Sequence, residues 1–372
     1  MSLHTSWSLR IFTCSILAIV GCSTAPSEVS PKDSAPAATP MKPAPAAVTI
    51  LNASYDPTRE FYSEFNQTFA DDWKQKSGQE VTVNQSHAGS GKQARSVIDG
   101  LEADVVTLSV GYDLNAMSRK GLMSEDWQAR LPNNSCPYTS TIVFLVRKGN
   151  PKGLRDWSDL TKPGVELVTP NPKTGGASRW CYLAAWGFAL HRELGDWKAL
   201  QDPARAAEVK QADEKARQFV GDLYRRVVVL DSGSRGSAQT FKNGIGDALL
   251  TWENEAFLML KQPGAEYEMI APSISILAEP AVAVVDKVVD KRKTREIAQA
   301  YLEYLYSAPG QQLVAKHFYR PAFPELIEGE QNKQFAPIKF FSIAEVFGGW
   351  DTAQALHFDD GGVYDQIYAE KK

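Results

Sequence analysis

The repeated alternation of apolar, β-branched runs with longer helical stretches is the feature that most constrains the fold of this chain. The apolar runs lie at residues 47–51, 81–83, 104–110, 140–146, 165–169, 226–230, 247–252 and 281–289. The helical stretches between them include FYSEFNQTFADDWKQ, SRWCYLAAWGFALHREL and TREIAQAYLEYLYS. Strands that are apolar along their whole length need cover on both faces of the sheet, and intervening helices provide it. The alternation therefore predicts an α/β fold with mostly parallel sheets.

The first 47 residues lack this alternation and differ in composition from the rest of the chain. An apolar run over 11–20 follows Arg10 and ends at Gly21-Cys22, and it is too short for a comfortable membrane span. The stretch IVGC resembles a bacterial lipobox, which implies cleavage before Cys22 and acylation of its thiol. An ordinary secretory signal with a chance cysteine is the alternative. Residues 23–47 are rich in Pro, Ala and Ser without apolar periodicity, which is typical of an extended tether.

We therefore expect a signal peptide over 1–21, a lipid-anchored tether over 22–47, and a location in the periplasm or cell envelope. The rest of the chain is long enough for two lobes, and 43% of all residues are hydrophobic. The formal net charge is −4, which is too mild to indicate binding to nucleic acid or to an acidic membrane surface. The only membrane contact that we expect is the lipid anchor.

Two cysteines, Cys136 and Cys181, remain after the signal peptide and the lipidation site are set aside. In an oxidising compartment they are candidates for a disulfide bond, which would stabilise the fold by roughly 4 kcal/mol in the chain-entropy model. Two separate buried thiols are an equally good interpretation.

The stretch QSHAGSGKQAR, residues 85–95, joins a predicted strand to a predicted helix and is suited to holding an anion. It is not a nucleotide phosphate loop, because Ser86 stands where that motif requires its first glycine and Gln93 where it requires a hydroxyl. Small residues still allow close approach of the backbone to a ligand, and the first turn of the next helix has unpaired N–H groups. By itself this is a weak signal, since Gly-Ser turns commonly precede helices.

Similar residues follow several other predicted strands, and this repetition is more informative than any single loop. The loops in question read NASYDP, PNPKTGGASR, DSGSRGS and WENE. In open α/β sheets ligands bind beyond the carboxyl ends of the strands. We therefore expect several helix N-termini to converge on one anion.

At these loops the chain resembles the periplasmic sulfate- and thiosulfate-binding proteins of ABC importers. The resemblance runs from about Thr49 to about Gln366 and includes LNASYDPTREFY, NQSHAGSGKQARSVIDGLEADVVTLSV, VLDSGSRGS and FSIAEVFGGW. It implies a type II periplasmic-binding-protein fold, in which two α/β lobes are joined by crossover strands near 138–146 and 278–288. The implied lobes are 48–139 for the first part of lobe 1 and 140–280 for lobe 2, with a return to lobe 1 and C-terminal helices over 281–372. The implied partners are the anion and the ABC permease subunits, with the protein itself a monomer.

The resemblance also implies a set of uncharged donors to the anion. These are the backbone N–H groups of Asp56 and Ser234, the backbone or hydroxyl of Ser90, and the indole N–H of Trp252. The carboxylate of Asp56 should point away from the ligand and cap its own loop. We expect Lys92, Arg179 and Arg235 to pair with carboxylates at the edge of the site, and His87 to be structural.

The loop PNPKTGGASR departs from the usual family sequence PNPKSSGGAR, so two alignments are open. Without a gap, Gly175 replaces the hydroxyl donor, and Gly176 and Ala177 supply amides. With a one-residue slip, Thr174 donates its hydroxyl, and Gly175 and Gly176 supply the amides. The slip keeps a hydroxyl in the site and is the alignment that we expect.

A cavity lined only by donors favours sulfate over phosphate, because protonated phosphate also needs an acceptor. No metal or cofactor is expected. Two alternatives remain: a binding protein for a related, molybdate-like oxyanion, and a secreted sulfate- or phosphate-ester hydrolase. For the hydrolase, the nearest match to a sulfatase motif, residues 135–139, reads SCPYT and lacks the required arginine. A third hypothesis is a surface protein that binds a peptide or another protein, and only the predicted tether supports it.

Overall fold

The computed structural model describes residues 45–371. The predicted signal peptide, the lipidation site at Cys22 and the predicted tether up to residue 44 lie outside this range. The described residues form one compact unit. None of the helices in the part that the structure describes has the length and apolar character needed to cross a membrane.

The unit is built from strands and helices in alternation, in agreement with the predicted α/β class. The strands are β1 Val48–Tyr55, β2 Val81–Ala88, β3 Val105–Leu108, β4 Tyr138–Thr139, β5 Ile142–Arg147, β6 Leu167–Pro170, β7 Val227–Asp231, β8 Ala248–Trp252, β9 Tyr267–Ile270, β10 Ile274–Ile276, β11 Ala281–Val284, β12 Arg320–Pro321 and β13 Lys339–Phe341. The helices are α1 Arg59–Ser77, α2 Ser90–Ile98, α3 Gly111–Arg119, α4 Pro132–Ser135, α5 Gly176–Leu194, α6 Ala206–Arg226, α7 Ser234–Lys242, α8 Glu253–Leu260, α9 Asp286–Arg292, α10 Arg295–Tyr304, α11 Ala308–Lys316, α12 Ile343–Phe347, α13 Trp350–Ala353 and α14 Val363–Lys371.

The first sheet has the strand order β11-β3-β1-β2. Strand β1 pairs in parallel with β2 and with β3, whereas β11 is antiparallel to β3. The apolar run 281–289 was predicted as one strand, but only its first part is β11, and Asp286 begins helix α9. A β-branched run alone does not reveal where extended backbone ends, since tertiary contacts decide it.

The second sheet has the strand order β7-β6-β8-β5-β9. Strand β6 pairs in parallel with β7 and β8, and β5 is antiparallel to both β8 and β9. Both sheets are therefore mixed, with parallel pairing among the strands whose carboxyl ends carry the polar loops. Because the helices α2, α5 and α7 follow such strands directly, their N-termini lie at the carboxyl edges of the two sheets.

Two crossover segments connect the sheets, close to where the sequence predicted them. The chain leaves the first sheet through β4 and enters the second at β5, and it returns through β10 to β11. Ser140 and Ala278 form an antiparallel bridge between these segments, with N···O distances of 3.0 and 2.9 Å. The division into lobes at 48–139, 140–280 and 281–372 stays a prediction.

The last part of the chain, residues 281–371, divides between the cores beside the two sheets. Helices α10 and α11 do join the first-sheet core through Tyr301 and Val314. From β13 onward, however, Phe341, Phe347 and Tyr364 belong to the apolar core around α5 and α6, beside the second sheet. Burial of these aromatic side chains in the core around α5 and α6 is favourable, which holds the tail beside the second sheet.

The two cysteines are free and buried, so the candidate disulfide bond between Cys136 and Cys181 is not formed. Cys136 Sγ donates to the carbonyl of Tyr138 at 3.1 Å, and Cys181 lies inside the α5 core. Burial raises the pKa of the Cys181 thiol to about 12, and it raises that of Cys136 as well. Both thiols therefore stay protonated and chemically inert at neutral pH.

Candidate functional site

The polar loops at the carboxyl ends of the two sheets surround one cavity of about 480 Å³. Its lining comes from both sheets and consists mostly of small residues. The lining residues are Tyr55, Asp56, Pro57, Arg59, His87, Ala88, Gly89, Ser90, Lys92, Ser109, Thr174, Gly175, Gly176, Ala177, Ser232, Gly233, Ser234, Arg235 and Gly236. Of the donors predicted from sequence, all except Trp252 line this cavity.

The cavity lies at the N-termini of several helices. Ser90, Gly176 and Ser234 are the first residues of α2, α5 and α7, and Asp56 begins the 3-10 turn that precedes α1. The first N–H groups of a helix have no acceptor inside the helix, and the aligned peptide dipoles favour an anion there. The site thus presents uncharged donors to whatever occupies the cavity.

In the loop before α5, several donors already have partners inside the protein, which favours the alignment without a gap over the slipped one. The Thr174 hydroxyl donates to the carbonyls of Ser232 at 3.0 Å and Asn171 at 3.2 Å. The Gly175 N–H donates to the Asn171 carbonyl at 3.1 Å. Two of the three groups that the slip requires, the Thr174 hydroxyl and the Gly175 amide, therefore have partners inside the protein. Gly176 and Ala177, the first two residues of α5, offer the helix-terminal amides, as in the alignment without a gap.

The Ser90 hydroxyl already has two partners inside the protein. Its Oγ donates to Asp113 Oδ2 at 2.6 Å and accepts from the N–H of Ser109 at 3.2 Å. Arg179 Nη1 lies 3.7 Å from the other oxygen of Asp113. Burial raises the pKa of the Asp113 carboxyl, and the Arg179 charge opposes that rise. Ser90 is thereby held at the start of α2, in the lining of the cavity.

The charged side chains near the cavity mostly neutralise one another. Arg59 Nη2 lies 2.9 Å from Asp56 Oδ1, so the Asp56 carboxylate bonds within its own loop, although to a side chain rather than as the expected backbone cap. Arg235 Nη2 lies 2.5 Å from Glu60 Oε2. Lys92 differs from the expectation, because it lines the cavity and forms no ion pair with any residue of the range 45–371.

Trp252, at the end of β8, lies behind the cavity lining rather than in it. Its side chain is fully buried, with its ring centroid 5.8 Å from that of Tyr55, which does line the cavity. Its Nε1 has no hydrogen-bond partner in the part of the chain that the structure describes. A buried N–H without an acceptor costs free energy, so an accepting ligand would be favoured nearby.

The two acidic residues that closely follow Trp252 both lie next to arginines. Glu253 forms a bidentate pair with Arg320, at 2.7 and 2.8 Å. Glu255 is buried with its Oε2 3.5 Å from Arg235 Nε, and burial raises the pKa of its carboxyl to about 7.

His87, as expected, is a structural histidine: it bonds Ser54 Oγ at 2.6 Å, and burial lowers its pKa.

Sequence reasoning missed Ser109, which directly follows β3 and lines the cavity. The run DVVTLSV was interpreted only as a strand, although its carboxyl end meets the same edge of the sheet as Asp56 and Ser90. The position of Ser109 at the end of that run could have identified it as a residue of the site. Within residues 45–371, no cluster of three or more His, Cys, Asp and Glu side chains has the arrangement of a metal site.

Comparisons with known proteins agree with this geometry. Residues 59–320 match the family model of the bacterial extracellular solute-binding proteins. The chain is 53% identical over 322 residues to the sulfate-binding protein of Escherichia coli (strain K12), covering 86% of this chain and 93% of the relative. It is 48% identical over 327 residues to the thiosulfate-binding protein of Pseudomonas aeruginosa, covering 87% and 93%.

Among solved structures, the sulfate-binding protein SubI from Mycobacterium tuberculosis H37Rv superposes with a TM-score of 0.72 at 27% identity. The superposition covers 84% of this chain and 99% of that one. The matching fold, the cavity between two α/β sheets and the extent of the sequence identity lead to one conclusion: the chain belongs to the bacterial extracellular solute-binding protein family.

Proposed function

We propose that this protein captures sulfate in the cavity between its two sheets and delivers it to the permease of an ABC importer. The observation that carries the proposal is the convergence of helix N-termini on a cavity whose flanking carboxylates are held by arginines. The proposed donors are the N–H groups of Asp56, Ser90, Gly176, Ala177 and Ser234 and the indole N–H of Trp252. The relatives named for sulfate and thiosulfate binding support this ligand class.

Uncharged donors are physically sufficient for this task. A dry, unpaired dianion is very unfavourable, and each hydrogen bond to a charged group offsets about 1.5–3 kcal/mol. Several such bonds and the helix dipoles replace the water shell of the ion. Because uncharged groups leave no permanent countercharge, we expect the ion to be released readily when the lobes separate.

Closure of the lobes and anchoring at the cell envelope belong to the same function. We propose that the two sheets belong to two lobes that close on the ion. We further propose that the chain is exported, cleaved before Cys22 and held at the cell envelope by a lipid, with its Pro/Ala-rich segment as a tether. Labelling cells with a fatty-acid probe would test the anchor, since Cys22→Ser should abolish incorporation of the label.

Isothermal titration of the full-length chain in mild detergent with sulfate, thiosulfate, molybdate and phosphate tests the ligand. We expect tight binding of sulfate and negligible binding of phosphate at neutral pH, because a protonated phosphate finds no acceptor among the donors. Thiosulfate is the second candidate, favoured by the identity to a thiosulfate-binding relative. Binding of molybdate alone would assign the protein to another oxyanion.

An assay with aryl sulfate and aryl phosphate esters separates binding from hydrolysis. The solute-binding relatives and the short-range pairing of the acidic residues favour binding without turnover. Release of the phenol above the rate without protein would instead support the hydrolase alternative.

A further inference from the structure

Ser109 lies in the cavity wall, and its backbone is held by hydrogen bonds. It follows β3, and its backbone is bonded on both sides: its N–H donates to Ser90 Oγ at 3.2 Å, and its carbonyl accepts from Trp180 Nε1 at 2.7 Å. Ser90 belongs to the first-sheet side and Trp180 to α5 of the second-sheet side. Ser109 is only 1% exposed, yet it contributes to the cavity lining.

The Ser109 hydroxyl, in contrast to its backbone, makes no hydrogen bond with any residue in the range 45–371. Three other Ser and Thr hydroxyls of the loops around the cavity already have acceptors. Ser90 donates to Asp113, Thr174 to Ser232, and Ser178 to Asn171 at 2.7 Å. Ser232 and Ser234 also line the cavity, but their side chains are more exposed and can bond to water. Among the serines and threonines that line the cavity, Ser109 is therefore the buried one whose hydroxyl has no acceptor within residues 45–371; the hydroxyl of Tyr55, another lining residue, also lacks a partner.

The hydroxyl lies beside the amides that are proposed to bind the anion. A methyl group placed on Gly176 would be 2.2 Å from Ser109 Oγ and 3.1 Å from Ser90 Cβ. The free amides of α5 and α2 and the Ser109 hydroxyl consequently surround the same small volume. An oxygen of an anion that accepts from the amides of Ser90 and Gly176 is within reach of a bond from this hydroxyl.

We infer that the Ser109 hydroxyl donates a hydrogen bond to the bound anion and serves as a further binding residue of the site. The inference rests on the sulfate-binding function proposed above. It assigns to Ser109 the hydroxyl donor that the loop before α5 cannot supply, because the Thr174 hydroxyl is bonded inside the protein. Ser109 would then connect the two sides of the cavity, since Trp180 on the second-sheet side donates to its carbonyl.

The test compares Ser109→Ala with the unmodified full-length chain by titration with sodium sulfate. The matched control is Ser118→Ala, which removes another buried hydroxyl without a partner, on α3 and outside the cavity lining. We expect Ser109→Ala to bind sulfate more weakly by at least on the order of 10-fold. We expect Ser118→Ala to keep the affinity of the unmodified chain, and all three proteins to melt at similar temperatures without sulfate.

Equal sulfate affinity of Ser109→Ala and the unmodified chain would overturn the inference while leaving the proposed function intact. If the unmodified chain does not bind sulfate, the proposed function itself fails. Should Ser109→Ala not fold, Ser109→Cys replaces the hydroxyl with a weaker donor of similar size, and the same loss of affinity is expected. A crystal structure with sulfate gives an independent outcome: the inference requires Ser109 Oγ within about 3 Å of a sulfate oxygen.

Discussion

At the scale of single residues, the donors around the cavity differ in what each has already bonded within the protein. Thr174 and Ser90 have hydroxyls, but both hydroxyls donate to protein acceptors. Trp252 has an indole N–H without a partner although the side chain is fully buried. A buried donor without an acceptor is unfavourable by about 1–3 kcal/mol, so ligand binding relieves a cost already present in the free protein.

The first prediction concerns this indole. Trp252→Phe should weaken sulfate binding by about 1–3 kcal/mol, because the variant keeps the aromatic packing and loses the donor. Titration calorimetry measures the change. Trp157→Phe is the control, since the Trp157 indole N–H donates to the Ile274 carbonyl at 2.8 Å and its residue does not line the cavity. Unchanged affinity in Trp252→Phe would remove this residue from the site.

At the scale of secondary-structure elements, the C-terminal tail decides how the second sheet is covered. The tail packs Phe347, Phe358 and Tyr364 against α5 and α6. His357 lies within this contact, 1% exposed, and its Nδ1 is 3.1 Å from the Tyr182 hydroxyl. Burial lowers the pKa of His357 to about 4. The tail therefore depends on a histidine that must stay neutral.

This histidine makes the stability of the protein depend on pH. Between about pH 6.5 and 4 the unfolded chain binds a proton at His357 that the folded chain does not, so the free energy of unfolding falls as the pH is lowered. We expect a loss of about 2–3 kcal/mol across this window from this group. Urea unfolding at pH 7, 5 and 4 measures it. His357→Gln should show a smaller loss, and an equal loss in both proteins would contradict the assignment.

At the scale of the whole molecule, the cavity depends on close contact between the two sheets. Gly176 lies so near the first-sheet side that a methyl group on it would be 2.2 Å from Ser109 Oγ and 3.0 Å from Val110 Cγ2. Arg235 on α7 reaches across to Glu60 on α1 at 2.5 Å. Contacts of both kinds form only when the two sides are together, so ligand affinity should report on closure.

The third prediction concerns the close contact of Gly176 with Ser109 and Val110. Gly176→Ala should weaken sulfate binding by at least about 10-fold, because overpacking of this kind costs about 1–3 kcal/mol and opposes closure. Small-angle scattering with sulfate should show a larger radius of gyration than for the unmodified chain. Gly221→Ala is the control, since the nearest atom to its added methyl would be Arg225 Nη1 at 3.8 Å. Tight binding by Gly176→Ala would show that the two sides do not need this contact.

Much of the fold was predictable because its signals are local. The apolar runs located β1, β3, β5, β6, β7 and β8, and the helices after Asp56-Pro57 and Gly175 began within a few residues of their predicted positions. Strands β10, β12 and β13 were not predicted. They are two or three residues long and exist only because a distant segment pairs with them, as β10 does with β13. Strands of this length leave no period in a sequence.

The sequence by itself determined the α/β class and the positions of the anion-suited loops, because small residues at strand-to-helix junctions are a local pattern. The donors at Asp56, Ser90 and Ser234 are proposals that rest on the family resemblance. The tertiary structure decided that the tail covers the second sheet, that Cys136 and Cys181 stay apart as thiols, and that Thr174 and Gly175 bond inside their loop. It also decided that Ser109 faces the cavity. The reason is physical: a sequence states which donors a chain has, but only the packed structure shows which acceptors those donors have already found.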